Sequence, residues 1–331
     1  MLRKRFESSA LLVFGMVFAA GSFAVAQSQP ALTRKSERAE FYRAASPGEL
    51  FVPVWSGYAL IGVRMNRTPA PTIWASSPSE IEDIQFSIPG AAEQIIWSVA
   101  ASRDHTLAIA GTAVGGDSQA SGFLGIIPQD RSKKLIVRTA PYIPYAITIA
   151  PDGVIWTVGW DEEAGKRVFN VLKRFNPSGV LLSSKHMTVK PIPMGFDSDV
   201  AYASKLRSSA DRVGWLTGAA QYLEFSFDGN ETGRFEGPPF RSEKPLGSVL
   251  QVLIYLALSE RNEVVVGGES PISSLWILNR DARQWTAVKV SGEQIGQSAR
   301  LLGFDGDELI VDIETSNRGE LVARFSFLPG N

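Results

Sequence analysis

Apolar and polar residues alternate along most of the chain, in short runs separated by polar turns. Residues 97–111 and 145–159 show the same pattern, in which an apolar run, a turn and a second apolar run end at Gly111 and Gly159. Alternation with a period of two predicts strands, and a turn between two such runs predicts a hairpin. The chain is therefore predicted to consist mainly of β-hairpins.

A second hairpin follows the first one, and the complete unit of about 48 residues recurs along the chain. Residues 123–130 and 171–179 are two copies of this second hairpin. Two hairpins form a four-stranded sheet, and a repeat of this size built only from strands is typical of the blades of a β-propeller. The turns between the first and second strands are predicted at residues 102–105, 151–153, 209–212, 259–262 and 305–307.

We predict an all-β fold, a six-bladed β-propeller of four-stranded antiparallel blades, with seven blades as the alternative. The last copy of the unit, at residues 321–327, ends too close to Asn331 to include a fourth strand. A strand from the N-terminus would complete this blade and cover its open edge. The candidate is the segment from Phe51 to Val54, or the segment just before it. Only the stretch from Thr33 to Ala45 has a helix-like composition.

The N-terminus has the parts of a secretory signal peptide. Residues 3–5 are basic, residues 10–20 are apolar, and Ala24-Val25-Ala26 is a small-residue cleavage site. An uncleaved anchor is the alternative, although this apolar stretch is at the lower limit for spanning a bilayer. The predicted division of the chain is a signal peptide over 1–26, an N-terminal lead-in segment over 27–50 and a β-propeller over 51–331.

Composition narrows the classes of function. The chain of 331 residues has no cysteine, which excludes disulfides, thiolate chemistry and cysteine-ligated metals. Its formal net charge of −1 gives no electrostatic reason to expect a nucleic acid partner. No segment after the signal peptide is apolar over a length that could cross a membrane. We expect a periplasmic or secreted monomer.

One blade resembles a known repeat. The turn Ala150-Pro151-Asp152-Gly153 and the strand at 154–159 resemble the blade pattern of NHL-repeat and other TolB-like six-bladed propellers. The hairpin at 174–179 extends this resemblance, which is strong within residues 97–183 and degenerate elsewhere. The resemblance implies the propeller fold and a function in binding, and it implies no catalytic activity.

The longer loops are predicted on one face of the ring, which we call the loop face. It carries the connections between second and third strands and those between blades, whereas the opposite turn face carries the short turns. Loops on a rigid scaffold are where ligands usually bind. The candidate anchors for a partner are the aromatic residues Tyr142, Tyr145, Trp160 and Phe240. The alternative is that these side chains seal the ends of the core.

We therefore predict an exported, non-enzymatic propeller that needs no cofactor and binds a protein, peptide or glycan of the cell envelope. A domain that only scaffolds envelope components is a further alternative. No catalytic residue is assigned, because the two histidines occupy different blade positions and no G-x-S-x-G motif is present.

A metal-dependent hydrolase is the enzymatic alternative. Some propellers that the chain resembles, the gluconolactonase and senescence-marker group, hold a divalent cation on the axis and hydrolyse lactones. In this chain the oxygen ligands for a cation such as Ca²⁺ would come from Asp161, Glu162, Glu269 and Glu314. The ligand motifs of that group are not identifiable at matching blade positions.

Overall fold

The computed structural model describes thirteen segments of the chain, and every regular element in them is a β-strand. None of the described residues belongs to a helix long and apolar enough to cross a membrane. The described segments are residues 31–34, 40–43, 54–55, 59–64, 68–76, 81–116, 119–190, 205–219, 221–238, 254–268, 275–291, 299–314 and 319–328.

The strands are numbered in chain order. They are β1 (Ala31–Arg34), β2 (Glu40–Arg43), β3 (Val54–Trp55), β4 (Leu60–Arg64), β5 (Thr72–Ser76), β6 (Ile81–Gln85), β7 (Glu93–Ala101), β8 (Leu107–Val114), β9 (Ala120–Ile127), β10 (Leu135–Arg138), β11 (Tyr142–Ile149), β12 (Ile155–Glu163), β13 (Lys166–Phe175), β14 (Leu181–His186), β15 (Lys205–Ser208), β16 (Val213–Leu216), β17 (Tyr222–Phe225), β18 (Glu231–Phe235), β19 (Ile254–Leu258), β20 (Val264–Gly268), β21 (Trp276–Asn279), β22 (Gln284–Ala287), β23 (Lys289–Ser291), β24 (Ala299–Asp305), β25 (Glu308–Glu314) and β26 (Gly319–Leu328).

The strands form six sheets, which we number as blades one to six. Blades one to five are β3–β6, β7–β10, β11–β14, β15–β18 and β19–β22, and in each of them sequence neighbours pair antiparallel. Blade six contains β24, β25, β26 and β1, with β23 and β2 added to it. The six-bladed propeller is confirmed, and the seven-bladed alternative is wrong.

The N-terminal strand β1 completes blade six. It pairs antiparallel with β26, with Leu32 opposite Phe327, and parallel with β23, with Leu32 opposite Val290. Closure of the last blade by an N-terminal strand is therefore confirmed. The candidate Phe51–Val54 is not the donor, because Val54 begins β3 in blade one and pairs with Ile61.

The described residues between Thr33 and Ala45 form strands, although the composition of this stretch is helix-like. Its described residues contribute the end of β1 and all of β2, and both strands pair with β26. Glu, Arg and Ala favour a helix in isolation. The edge of β26, however, offers unpaired backbone groups along ten residues. Pairing with that edge satisfies them and overrides the local preference.

Six clusters of buried apolar side chains fill the gaps between neighbouring blades. Ile73 and Phe123 belong to the cluster between blades one and two, and Leu60 and Ile310 belong to the cluster between blades one and six. The other four clusters fill the remaining gaps. Since a blade has a neighbour on each side, both faces of its strands are apolar, and β11 is buried along its whole length.

Three of the predicted turns share one geometry. In the turn at 102–105, the Ser102 carbonyl accepts a hydrogen bond from the His105 N–H at 3.0 Å, and the Ser102 N–H donates to the Thr106 carbonyl at 2.9 Å. His105 has a φ of 65°, and the equivalent residues Gly153 and Asn262 have φ values of 81° and 67°. A left-handed residue at this position fits the twist of a hairpin, which explains why Gly and Asn recur.

A buried carboxylate ties blades four and five together on the turn face. Glu224 is only 3% exposed and accepts hydrogen bonds from Arg212 Nη1 at 3.0 Å and from Arg280 Nη2 at 2.6 Å. The Tyr222 hydroxyl donates to it at 3.2 Å. Arg212 lies in blade four and Arg280 in blade five. Glu224 therefore pairs with two cations, of which Arg212 also pairs with Asp211, and it joins two sheets.

We expect Glu224→Ala to lower the free energy of unfolding by about 3 kcal/mol, because removing one partner of a buried ion pair leaves the other charge uncompensated. The matched control is Glu260→Ala, which removes a carboxylate from an exposed pair with Arg103 and should cost less than about 1 kcal/mol. Urea unfolding of both variants measures the difference. Equal losses in the two variants would show that Glu224 does not hold the blades together.

Candidate functional site

The structure places three of the four predicted aromatic anchors in the interior. Tyr142, Tyr145 and Trp160 are 0%, 2% and 4% exposed. They lie together at the loop-face end of blade three, where the rings of Tyr145 and Trp160 stack with centroids 5.7 Å apart. Phe240 lies outside the described residues. The burial of these three side chains fits the alternative in which they seal the end of the core.

Tyr142 is buried because the neighbouring strand leaves room for its ring. A Cβ atom on Gly159 would lie 2.7 Å from that ring, so the glycine creates the space that the ring fills. The tyrosine hydroxyl donates to the Val171 carbonyl at 3.2 Å, and Lys173 Nζ lies 4.2 Å from the ring centroid. Burial raises the pKa of Tyr142 well above its usual value. Its described contacts are those of a core residue.

Residues 160–163 continue strand β12 and form no loop on the loop face. The chain reverses only at Ala164 and Gly165, whose φ values are 49° and 75°, and strand β13 begins at Lys166. Trp160 lies between two other rings, with Tyr145 on one side and Phe169 5.8 Å away by centroid distance. A long hairpin, rather than a loop, thus forms this part of the loop face.

The structure describes the side chains of two of the four candidate metal ligands, Asp161 and Glu162. Asp161 Oδ1 forms an ion pair with Lys173 Nζ at 2.8 Å, and Glu162 is exposed on the same strand. Glu314 ends β25 in blade six, and Glu269 lies outside the described residues. Among the described residues, no three His, Cys, Asp or Glu side chains converge as a metal site would require.

Exposed apolar side chains occur instead on the rim of the ring. Val180, Leu181 and Leu182 are 58%, 50% and 48% exposed, and Leu135 is 38% exposed. Leu135 is on β10, the outermost strand of blade two. Leu181 and Leu182 begin β14, the outermost strand of blade three, and Val180 directly precedes it. We call these four residues the rim patch.

Blades two and three approach each other at the rim patch. A Cβ atom on Gly179, the residue before Val180, would lie 2.3 Å from Val137 Cγ2 and 3.3 Å from Leu135 Cδ2. The turn of blade three therefore packs directly against β10. Four exposed cationic residues lie on β10 and β14 or directly before them: Lys133, Lys134, Arg138 and Lys185.

A second candidate site lies on the inner wall of the ring. The first strands β7, β11, β15, β19 and β24 contact one another in succession, so they surround the axis. Lys205 and Arg207 lie on β15, opposite Leu216 and Gly214 of β16. Residues opposite each other in an antiparallel pair share a side of the sheet. We call Lys205 and Arg207 the axial pair; both face the gap between blades four and five, where Leu216 packs.

The axial pair is charged in a poorly solvated environment. Both side chains are only partly exposed. Burial, followed by repulsion from Arg207, lowers the pKa of Lys205 to about 8, and burial lowers the pKa of Arg207 to about 10. At neutral pH both groups therefore carry their charge, at a cost in desolvation.

Sequence reasoning did not identify either site. The run Val180-Leu181-Leu182 has the composition of an inner strand, and only its outermost position in the blade exposes it. Lys205 and Arg207 follow residues 191–204, which interrupt the repeat and lie outside the described residues. The rim patch could have been predicted by counting the strands of each blade outward from the axis, because the outermost strand is the exposed one.

No protein-family model matches the chain, and a search of curated proteins finds no match. Among solved structures, the chain is similar to that of YjhT, with a TM-score of 0.50 and 12% identity over 86% of this chain and 99% of that chain. It is also similar to BBS1N in complex with ARL6DN, with a TM-score of 0.44 and 11% identity over 83% and 77% of the two chains. A fragment of HIRA, residues 644–1017, gives a TM-score of 0.36 and 14% identity over 60% and 54%. At these identities the likeness to YjhT supports the fold alone.

We expect Lys205 to make the folded state more stable as the pH rises from about 8 to 10.5. The group has a pKa near 10.5 when solvated and about 8 in the folded protein, so in this window the unfolded chain binds more protons. Lys205→Met removes this dependence and raises the free energy of unfolding at pH 7 by at least about 1 kcal/mol. Urea unfolding between pH 7 and 10.5 measures both effects.

The control for this prediction is Lys185→Met, which removes an exposed lysine and should follow the wild-type pH profile. A constant stability difference between the wild type and Lys205→Met across the window would contradict the prediction.

Proposed function

We propose that this protein is an exported, non-enzymatic β-propeller that binds an extended segment of a protein or peptide along its rim patch. The observation that carries the proposal is the grouping of Leu135, Val180, Leu181 and Leu182. They are the exposed large apolar side chains of the described part of the chain, and they lie on or next to β10 and β14, the outermost strands of two neighbouring blades. A group of exposed apolar side chains is typical of an interaction site.

The backbone of β14 favours an extended partner. Within the described residues, β14 pairs with β13 on one side and with no strand on the other, over the six residues Leu181–His186. An open strand edge offers N–H and C=O groups that a partner strand can pair with. Main-chain pairing would supply affinity, and contacts with the apolar side chains would supply specificity.

The charge of the rim favours an acidic partner. Residues 128–138 and 176–186 contain one acidic residue, Asp130, and the exposed cations Lys133, Lys134, Arg138 and Lys185. Two of these cations, Lys134 and Arg138, donate to backbone carbonyls in or just after blade one. Complementary charge speeds association and excludes partners of the wrong sign. The proposed partner segment therefore combines apolar side chains with Asp or Glu.

Several predictions from the sequence remain open beside this proposal. Binding of a protein, peptide or glycan through the loop face stays a prediction, since residues 117–118, 191–204, 239–253, 269–274 and 315–318 lie outside the described residues. The lactonase-like alternative also stays a prediction, and no described cluster of side chains supports it. Export is supported by the signal-peptide pattern at 1–26. Recovery of a periplasmic form that begins at Gln27 would support it, and retention of the intact N-terminus would contradict it.

The proposal predicts selective binding of extended peptides that are both apolar and acidic. Selection of a random peptide library on the immobilised mature chain should enrich such sequences. Leu181→Gln should weaken their binding at least about tenfold, because it places a polar group in the apolar contact and leaves the charge of the rim unchanged. Fluorescence anisotropy of a selected, labelled peptide measures the change.

The matched control is Thr232→Gln, which introduces the same side chain at an exposed position on β18, the outermost strand of blade four. It should leave the affinity within about twofold of the wild type. Enrichment of basic or purely polar peptides, or equal binding by Leu181→Gln and the wild type, would refute the assignment of the rim patch.

A further inference from the structure

We propose that the axial pair, Lys205 and Arg207, binds a dianionic oxyanion, the phosphate group of a small ligand, that enters the ring from the loop face. The site is separate from the rim patch. It lies on the innermost strand of blade four, whereas the patch lies on the outermost strands of blades two and three. The two sites can therefore be tested independently.

The first argument is that the two charges are not neutralised within the described structure. In the part of the chain that the structure describes, neither Lys205 nor Arg207 forms an ion pair, whereas the partly buried Arg212 and Arg280 share Glu224. Arg207 Nη1 donates to the Leu206 carbonyl at 2.8 Å. Charged groups withdrawn from water are usually paired. Two neighbouring cations without a carboxylate are therefore a site for an anion from outside the chain.

The second argument is charge balance. A lysine and an arginine together carry two positive charges, and a phosphate group carries about two negative charges at neutral pH. A single carboxylate would leave one of these cations uncompensated. The repulsion between Lys205 and Arg207 contributes to the lowered pKa of Lys205, so a ligand between them would relieve it. A dianion fits the site better than a monoanion.

The third argument is that both side chains are long enough to contact the same phosphate group. Residues two apart on a strand have Cα atoms about 7 Å apart and side chains on the same side. Both Lys205 and Arg207 have long side chains, so their charged ends can meet on one tetrahedral group. The guanidinium can bind two oxygens at once, and the ammonium can contact a third.

The direction of β15 indicates the entry. The strand runs from Lys205 to Ser208 and leads into the turn at 209–212 on the turn face. Lys205 is therefore nearer the loop face, and Arg207 lies deeper in the ring. A ligand from the loop face would meet Lys205 first and Arg207 second.

Isothermal titration calorimetry of the mature chain with sodium phosphate at pH 7 tests the proposal, with ionic strength held constant by sodium chloride. We expect one phosphate per chain. Lys205→Met and Arg207→Met should each raise the dissociation constant at least about tenfold. Because Lys205→Met removes a desolvated charge and is expected to fold more stably, its loss of binding cannot come from unfolding.

Control titrations distinguish the source of the anion. Lys166→Met, which removes an exposed lysine outside both proposed sites, should bind phosphate like the wild type, and acetate should bind the wild type at least about tenfold more weakly. Tighter binding of glycerol 3-phosphate than of inorganic phosphate assigns the site to a phosphate ester, and the reverse assigns it to free phosphate. The proposal is overturned if phosphate does not bind, if both axial variants keep wild-type affinity, or if acetate binds equally well.

Discussion

The pairing of β1 with β26 is the interaction on which the rest of the structure depends. Each blade buries both of its faces against neighbours, so an open ring would expose the faces at the break. The apolar cluster of Leu60, Trp74, Leu302 and Ile310 joins blade six to blade one. The strand β1 completes the sheet that carries half of this contact, and it comes from the opposite end of the chain. The pairing of β1 with β26 thus closes the ring.

A closed ring also determines where binding sites can lie. Its gaps are filled with large side chains such as Trp156, Trp215 and Tyr222, so aromatic residues on the strands serve packing. The surfaces that remain for binding a partner are the two faces of the ring, its outer rim and its axis. The described structure has an apolar, cationic surface on the rim and an uncompensated pair of cations at the axis. Neither site requires a side chain that holds the blades together.

The local features of the fold could be predicted from the sequence, because their causes lie within a few residues. Alternation indicated the strands, and residues such as Gly153 and Asn262 marked turns that need a positive φ. The features that could not be predicted depend on contacts between residues that are far apart in the sequence. Residues 31–34 and 40–43 form strands because β26 offers them an edge, and Tyr142 is buried because Gly159 of the next strand leaves room for its ring. Leu181 is likewise exposed because β14 is the outermost strand of its blade.

The absence of cysteine from the chain allows a direct test of ring closure. Leu32 and Phe327 lie opposite each other, and Cα atoms of such antiparallel partners are about 5 Å apart, within reach of a disulfide. The double variant Leu32→Cys/Phe327→Cys should form an intramolecular disulfide under mild oxidation, detected by mass spectrometry of linked peptides. Val54→Cys/Phe327→Cys should not. A cross-link only in the second variant, or in neither, would contradict closure of the ring by β1.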